Sequence, residues 1–341
     1  MSNAAVDTYG QLFEGFRWAV PERLNMAREC CDRWADDPDR VAMLRDGANG
    51  IESITYRELR DEAARLAAWL RGAGIQRGQI VAIATAQRAE TAVAHMAILA
   101  CGAIVLPMSI LFGPEAFEYR LDDSKAVAII ADEHGVDGLQ ALLIDAIEPS
   151  VRIAIGAPVA GWTSWDAIQR GPAPAFEIVD TASSDAALLI YTSGTTGNPK
   201  GALIPQSAML GNLSGFVASQ NWFPQGEPSG RGDVFWSPAD WAWTGGLWDA
   251  LLPSLYFGMP IVAADGKVDN RFSAERAFEI IEQFGVTNVF LFPTALKSMM
   301  KAVPDPHSRY RLRLRAIMSA GEPVGAAVYD WCEQRLKIRL N

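Results

Sequence analysis

Two rhythms of apolar and polar positions alternate along this chain. Over 58–71 (ELRDEAARLAAWLR) apolar residues recur at helical spacing and stop at Gly72. Residues 79–84 then form a short apolar run with the look of a buried strand. The same pairing returns as a predicted helix over 90–101 and a strand over 103–106, followed by a strand over 127–131. Later runs at 186–190, 286–292 and 314–319 read as further buried strands. Continuous apolar strands separated by helical segments predict a mostly parallel sheet covered on both faces by helices. The Pro- and Gly-rich interval 156–174 marks an expected boundary, with a first α/β subdomain over 1–170 and a second over 171–341.

One apolar stretch, 92–113, has the length of a membrane span. Gly102 and Pro107 interrupt it, so it reads as a buried helix, a glycine stop and a buried strand, and no stable membrane insertion is expected. Gly72, Gly74 and Gly78 glance at a dinucleotide fingerprint, but they follow a helix instead of a strand and read as a stop and turn.

Half of the 341 residues are hydrophobic, which excludes a disordered chain. Acids outnumber bases 40 to 30, a net charge of −10, which argues against non-specific nucleic-acid binding. Cys30, Cys31, Cys101 and Cys332 show no C-x-x-C spacing. They read as reduced thiols of a cytoplasmic protein, and the scattered His95, His134 and His307 suggest no metal site.

The chemistry concentrates in Tyr191-Thr192-Ser193-Gly194-Thr195-Thr196-Gly197-Asn198-Pro199-Lys200-Gly201, directly behind the strand at 186–190. Glycines let backbone approach phosphate closely, hydroxyls and N–H groups donate to its oxygens, and Lys200 adds a compact charge. A Walker loop would place lysine directly after the second glycine and open a helix there. Here Asn198-Pro199 intervenes, and Pro199 disfavours a helix starting at Gly197.

This loop resembles the signature of the AMP-forming adenylate synthetases, the superfamily of acyl-CoA synthetases, luciferases and peptide-synthetase adenylation domains. Its pattern, [YF]-T-S-G-[ST]-T-G-x-P-K-G, is met at every position. Two later motifs follow in family order. Asp240-Trp241-Ala242-Trp243-Thr244-Gly245-Gly246 resembles the aromatic acyl-pocket motif, although on composition alone it reads as an aromatic core cluster. Gly321-Glu322-Pro323 resembles the adenine-side motif. Arg231-Gly232-Asp233 spells an adhesion tripeptide, but it leads into a buried run and reads as a turn. The opening 16–22 (FRWAVPE) leans toward short- and medium-chain acyl-CoA synthetases.

The resemblance implies two mostly parallel α/β subdomains, the incomplete large N-terminal domain of an adenylate-forming enzyme. It implies ATP, Mg²⁺ and coenzyme A, with a small carboxylic acid as partner. A carboxylate would attack the α-phosphorus of ATP, giving acyl-AMP and pyrophosphate, and the thiol of coenzyme A would then displace AMP. Thr192, Thr195 and Lys200 are the candidate catalytic residues, and Thr192, Ser193, Gly194, Thr195, Thr196, Gly197 and Lys200 would hold the phosphates. Gly321, Glu322 and Pro323 would face adenine, while Trp243, Thr244, Gly245, Gly246 and Ala320 would shape the acid site, the glycines leaving room for the acyl tail.

Ile204 and Gln206 depart from the family by replacing histidines, and Lys297 stands where arginine is common. The Mg²⁺-holding glutamate and the lysine of adenylation would fall beyond Asn341, so the chain is expected to be an N-terminal fragment with little activity alone. Three alternatives stand beside this reading: an adenylation domain serving a carrier-protein thiol, a phosphoryl-transferring P-loop NTPase, and a non-catalytic nucleotide-binding module.

Overall fold

A computed structural model describes residues 8–140, 150–192, 198–225, 232–268 and 271–341. Strands β1 (Val41–Gly47) and β2 (Gly50–Thr55) form a hairpin near the start. There follow β3 (Ile80–Ala84), β4 (Ile104–Pro107), β5 (Ala128–Ala131), β6 (Val151–Ala154) and β7 (Thr163–Ser164). The remaining strands are β8 (Ala186–Thr192), β9 (Lys200–Pro205), β10 (Phe235–Trp236), β11 (Ile261–Val262), β12 (Lys267–Val268), β13 (Arg271–Phe272), β14 (Asn288–Phe290) and β15 (Ala316–Met318).

These strands make two large sheets and a small β12–β13 ribbon. One sheet has the order β7-β6-β5-β3-β4-β8-β9 and the other β15-β14-β10-β11-β1-β2. Every neighbouring pair is parallel except the last in each row, where β9 and β2 close antiparallel hairpins. Sheet membership crosses the expected boundary at 170/171. Strands β8 and β9 complete the sheet begun by β3, whereas the early β1–β2 hairpin joins the later one.

Local signals explain the elements. The helix Tyr56–Gly72 starts at a capping box in which Thr55 and Glu58 satisfy each other's backbone N–H groups. The helix Ala89–Ala100 is apolar all round because it is covered all round: every residue but Glu90 is buried. That burial explains the membrane-like stretch, and no helix among the described residues is long and apolar enough to cross a membrane. Strand β14 is shorter than the run 286–292 because Phe292 already caps the helix Pro293–Ala302. The core of the first sheet is continuous with Phe235, Trp241, Leu251 and Phe290 of the later segments.

A buried polar cluster ties three strands of the second sheet at their amino ends. Asp233 is 4% exposed and leads into β10. Its carboxylate accepts from Arg315 Nε and Nη2 at 3.2 and 2.6 Å, Thr287 Oγ1 at 2.9 Å and the Gln225 N–H at 2.6 Å. Thr287 precedes β14 and Arg315 precedes β15, so this cluster sets the relative heights of three strands. It also accounts for the tripeptide at 231–233, whose aspartate is consumed inside the fold.

Candidate active site

Strand β8 lies inside the first sheet, and β9 returns beside it with Lys200 opposite Thr192. Strands β8 and β9 are therefore the two arms of an antiparallel hairpin. Ser193, Gly194, Thr195, Thr196 and Gly197 lie outside the described residues. A strand, not a helix, begins at Lys200, which separates this loop from the Walker geometry. Thr192 and Lys200 are both exposed at its mouth.

The stem of the hairpin is held by the helix Pro114–Ser124. Tyr191 donates its hydroxyl to Asp123 Oδ2 at 2.6 Å, and Tyr119 donates to the Pro199 carbonyl at 3.0 Å. Arg120 is 7% exposed and makes no ion pair among the described residues. Its guanidinium lies 4.0 Å from the Phe112 ring centroid and 5.6 Å from that of Tyr191, and Nη1 donates to the Ala116 carbonyl at 2.8 Å. Burial draws the pKa of Arg120 below its ordinary value. Phe112 in turn meets Trp243 edge-on at 5.6 Å. The loop stem is thus joined to the tryptophan motif through Tyr191, Arg120, Phe112 and Trp243. Sequence reasoning passed over Arg120, Phe112, Tyr119 and Asp123, since a lone arginine on a helix usually reads as surface charge.

The turn 240–246 is shaped by Asp240. Its carboxylate accepts from Ser109 Oγ at 2.7 Å and from the Ala242 N–H at 2.9 Å, while its carbonyl accepts from the Trp243 N–H at 3.0 Å. Burial raises the Asp240 pKa, and those two side-chain bonds oppose the rise. The paired tryptophans divide their roles. Trp241 is 1% exposed and belongs to the core, whereas Trp243 is 43% exposed. Gly245 and Gly246 do not open space. A Cβ on Gly245 would stand 2.5 Å from Phe290 Cε1, and one on Gly246 would stand 2.3 and 2.4 Å from the Asp240 and Ala239 carbonyl oxygens. These glycines are small because a ring and two carbonyls already fill the volume.

Phe290 links this turn to the third motif. It ends β14, which pairs with β15, and its carbonyl accepts from Ser237 Oγ at 2.8 Å. After β15 the chain turns through Gly321 at φ +96°, where no atom lies within 4 Å of the Cβ position. Ala320, Glu322 and Pro323 are exposed there. Thr294, at the start of the helix after β14, lies 3.4 Å from Glu322 Oε1. The open space above Gly321 suits a flat ring laid on bare backbone. All three motifs leave carboxyl ends of strands, where open α/β sheets bind ligands. Gln206, a departure from the family pattern, is buried and accepts from the Met26 N–H at 2.8 Å, a packing role.

A groove of about 430 Å³ opens beside Thr244. A cavity of about 620 Å³ lies elsewhere, against Cys31, Arg60, Met96 and Phe176, and among the described residues none of the three motifs lines it.

The fold and this hairpin define an adenylate-binding class of protein, and comparison with known proteins agrees. The model of the family described as AMP-binding enzyme matches residues 31–340. The chain belongs to that family. It is 31% identical over 339 residues to an acetyl-coenzyme A synthetase of Nostoc linckia, covering 92% of this chain and 97% of that sequence. It is 27% identical over 335 residues to an acetyl-coenzyme A synthetase of Syntrophus aciditrophicus (strain SB), covering 92% of this chain and 51% of that one. The chain thus spans about half the length of most of the curated relatives it matches. The crystal structure of Brucella canis acyl-CoA synthetase superposes with a TM-score of 0.82 at 27% identity, covering 97% of this chain and 59% of that chain. An anthranilate CoA ligase, AuaEII, shares the fold at a TM-score of 0.81 and 23% identity, covering 94% of this chain and 60% of that one.

Proposed function

We propose that this protein serves the ATP-dependent activation of a carboxylic acid to an acyl-AMP and its transfer to the thiol of coenzyme A. The observation that carries the reading is the phosphate hairpin, with Thr192 opposite Lys200 and its stem joined by packed rings to Trp243. The acetyl-coenzyme A synthetase and acyl-CoA synthetase names of its relatives support the reaction class.

In the first step a carboxylate oxygen bonds to the α-phosphorus, and the bond to pyrophosphate breaks. Negative charge grows on the departing oxygens. Lys200, the Thr192, Ser193, Thr195 and Thr196 hydroxyls, and N–H groups near Gly194 and Gly197 would meet that charge. In the second step the thiol sulfur bonds to the acyl carbon, the acyl–oxygen bond to AMP breaks, and the thiol proton leaves. Gly321, Glu322 and Pro323 would face adenine, with Trp243, Thr244 and Ala320 beside the acid. Gly245 would act by seating that turn against Phe290, and Gly246 by closing it on the Ala239 and Asp240 carbonyls. Among the described residues no three His, Cys, Asp or Glu side chains converge on a metal position. By the family resemblance, the glutamate that would hold Mg²⁺ and the adenylating lysine are not among these 341 residues.

The test is product analysis with ATP, Mg²⁺, coenzyme A and a panel of acids. It is run on the 341-residue chain and, in parallel, on the longest protein its gene encodes. Acid-dependent AMP and pyrophosphate from the longer protein are expected. ADP and phosphate would overturn the reading.

A further inference from the structure

The groove beside Thr244 is formed by two helical segments. On the helix Ala208–Ser219, Ala208 and Asn212 are four residues apart and share one face. Opposite them stand Thr244, Trp248 and Asp249, with Ile204 of β9 closing one end. Trp248 and Asp249 sit in a π-helical turn, Leu247–Leu251, in which the Leu252 N–H reaches back to the Leu247 carbonyl. Pro253 explains that wide turn: it has no N–H to offer the Asp249 carbonyl, and its ring crowds that oxygen. The widened turn places a carboxylate beside Trp248, in a groove whose apolar lining also includes Ile204 and Ala208.

Among the described residues the one charged group that lines the groove is the Asp249 carboxylate, an acceptor, while the Trp248 indole N–H is buried without a partner. The Asp249 carboxylate receives no hydrogen bond and no ion pair among the described residues. Asn212 spends its Nδ2 on the Trp248 carbonyl at 2.5 Å, which leaves Oδ1 as an acceptor. Among the described residues no lysine, arginine or histidine lines the groove. Burial alone lifts the Asp249 pKa to about 6, with no charged neighbour acting on it. The Asp249 oxygens still reach solvent, so water supplies their donors in the open groove, and a ligand that displaces that water must bring a donor of its own.

Resting on the function proposed above, we propose that this groove receives the tail of the carboxylic acid, and that Asp249 and Asn212 select acids whose tail carries a hydrogen-bond donor, a hydroxyl or an ammonium group. Trp243 then stands at the junction between activated carboxyl and tail, and Thr244 at the groove's entrance. A plain alkyl acid fits the apolar wall but leaves the carboxylate unanswered. A site built around buried acceptors discriminates against analogues lacking the donor more strongly than an apolar pocket discriminates by size.

The test is calorimetric titration of the 341-residue chain, in the presence of ATP, with two matched sets of acids. One set is butanoate, 4-hydroxybutanoate and 4-aminobutanoate; the other is hexanoate, 6-hydroxyhexanoate and 6-aminohexanoate. In at least one set the hydroxy or amino acid should bind roughly tenfold to a hundredfold tighter than the plain acid, the range of a charge-assisted hydrogen bond. Asp249→Leu should abolish that preference while keeping or improving affinity for the plain acid. Asp249→Asn keeps the shape and one acceptor, so it guards against misfolding; it should cut the preference for the amino acids more than for the hydroxy acids. Plain acids that bind as well as their donor-bearing partners, with ratios unmoved by either variant, would overturn the selectivity and leave the acid-activation reading standing. Failure of every acid to bind would remove both.

Discussion

Asp233→Asn should cost this protein a large part of its stability although it lies far from the phosphate hairpin. The native carboxylate is 4% exposed and receives four donors, two from Arg315, one from Thr287 and one from the Gln225 N–H. An amide there turns one oxygen into a donor that faces other donors, and it leaves a guanidinium without its countercharge. Breaking a buried pair from one side costs about 3–5 kcal/mol. Arg315 keeps the Asn221 carbonyl at 2.8 Å and Asn288 Oδ1 at 3.1 Å, and its side chain is 24% exposed. The lower end, about 3 kcal/mol, is therefore expected. Against a typical total of roughly 5–15 kcal/mol, that is a severe loss. Urea unfolding followed by circular dichroism and tryptophan emission gives the number. Asp180→Asn is the control, since its pair with Arg23 is 59% and 52% exposed and should contribute under about 1 kcal/mol. If Asp233→Asn matches the control, the cluster does not hold the three strands as argued.

Asp249→Asn should stabilise the protein at neutral pH. The folded-state pKa is raised from 3.8 to about 6, so folding is favoured by the protonated acid and that advantage disappears as pH rises from about 4 to 6. Thermal melts of variant and native protein should differ above pH 6 and converge below pH 4; an equal offset at both would contradict the burial argument. Gly246→Ala should lower stability by about 1–3 kcal/mol, because its methyl meets two backbone carbonyl oxygens, and it should weaken acid binding through Trp243. A melt unchanged from native would show that the turn has slack. Arg120→Met should change stability little, since losing ring contacts of about 1–2 kcal/mol is offset by removing a buried charge. The same variant should shift Trp243 emission by freeing Phe112, and an unaltered spectrum would break the proposed link.

The parallel sheets were legible because long apolar runs such as 127–131 and 186–190 leave no choice of buried face. That no Walker-type helix opens behind Gly197 was legible, because Pro199 disfavours a helix start, and a strand begins at Lys200. Sheet membership was not, because nothing local tells β1 to pair with β11, two hundred residues on in the chain by rough count. Arg120 escaped for a related reason: its meaning depends on Phe112, from the loop before its own helix, and on Tyr191, which arrives from β8. The glycines at 245 and 246 were visible as small residues, but only the fold reveals that Phe290 and two carbonyls fill their space. Asp249 resembles any helix-surface acid until Pro253 is seen to widen its turn.

On the proposed function, the Thr192–Lys200 hairpin grips the phosphates of a nucleotide whose base lies at Gly321. Hydrogen exchange of the 341-residue chain, with and without ATP, tests it directly. ATP should slow exchange at both 192–201 and 319–324, and Lys200→Met should weaken ATP binding without altering the unliganded pattern. ATP binding that protects neither segment, or that is indifferent to Lys200, would contradict the account.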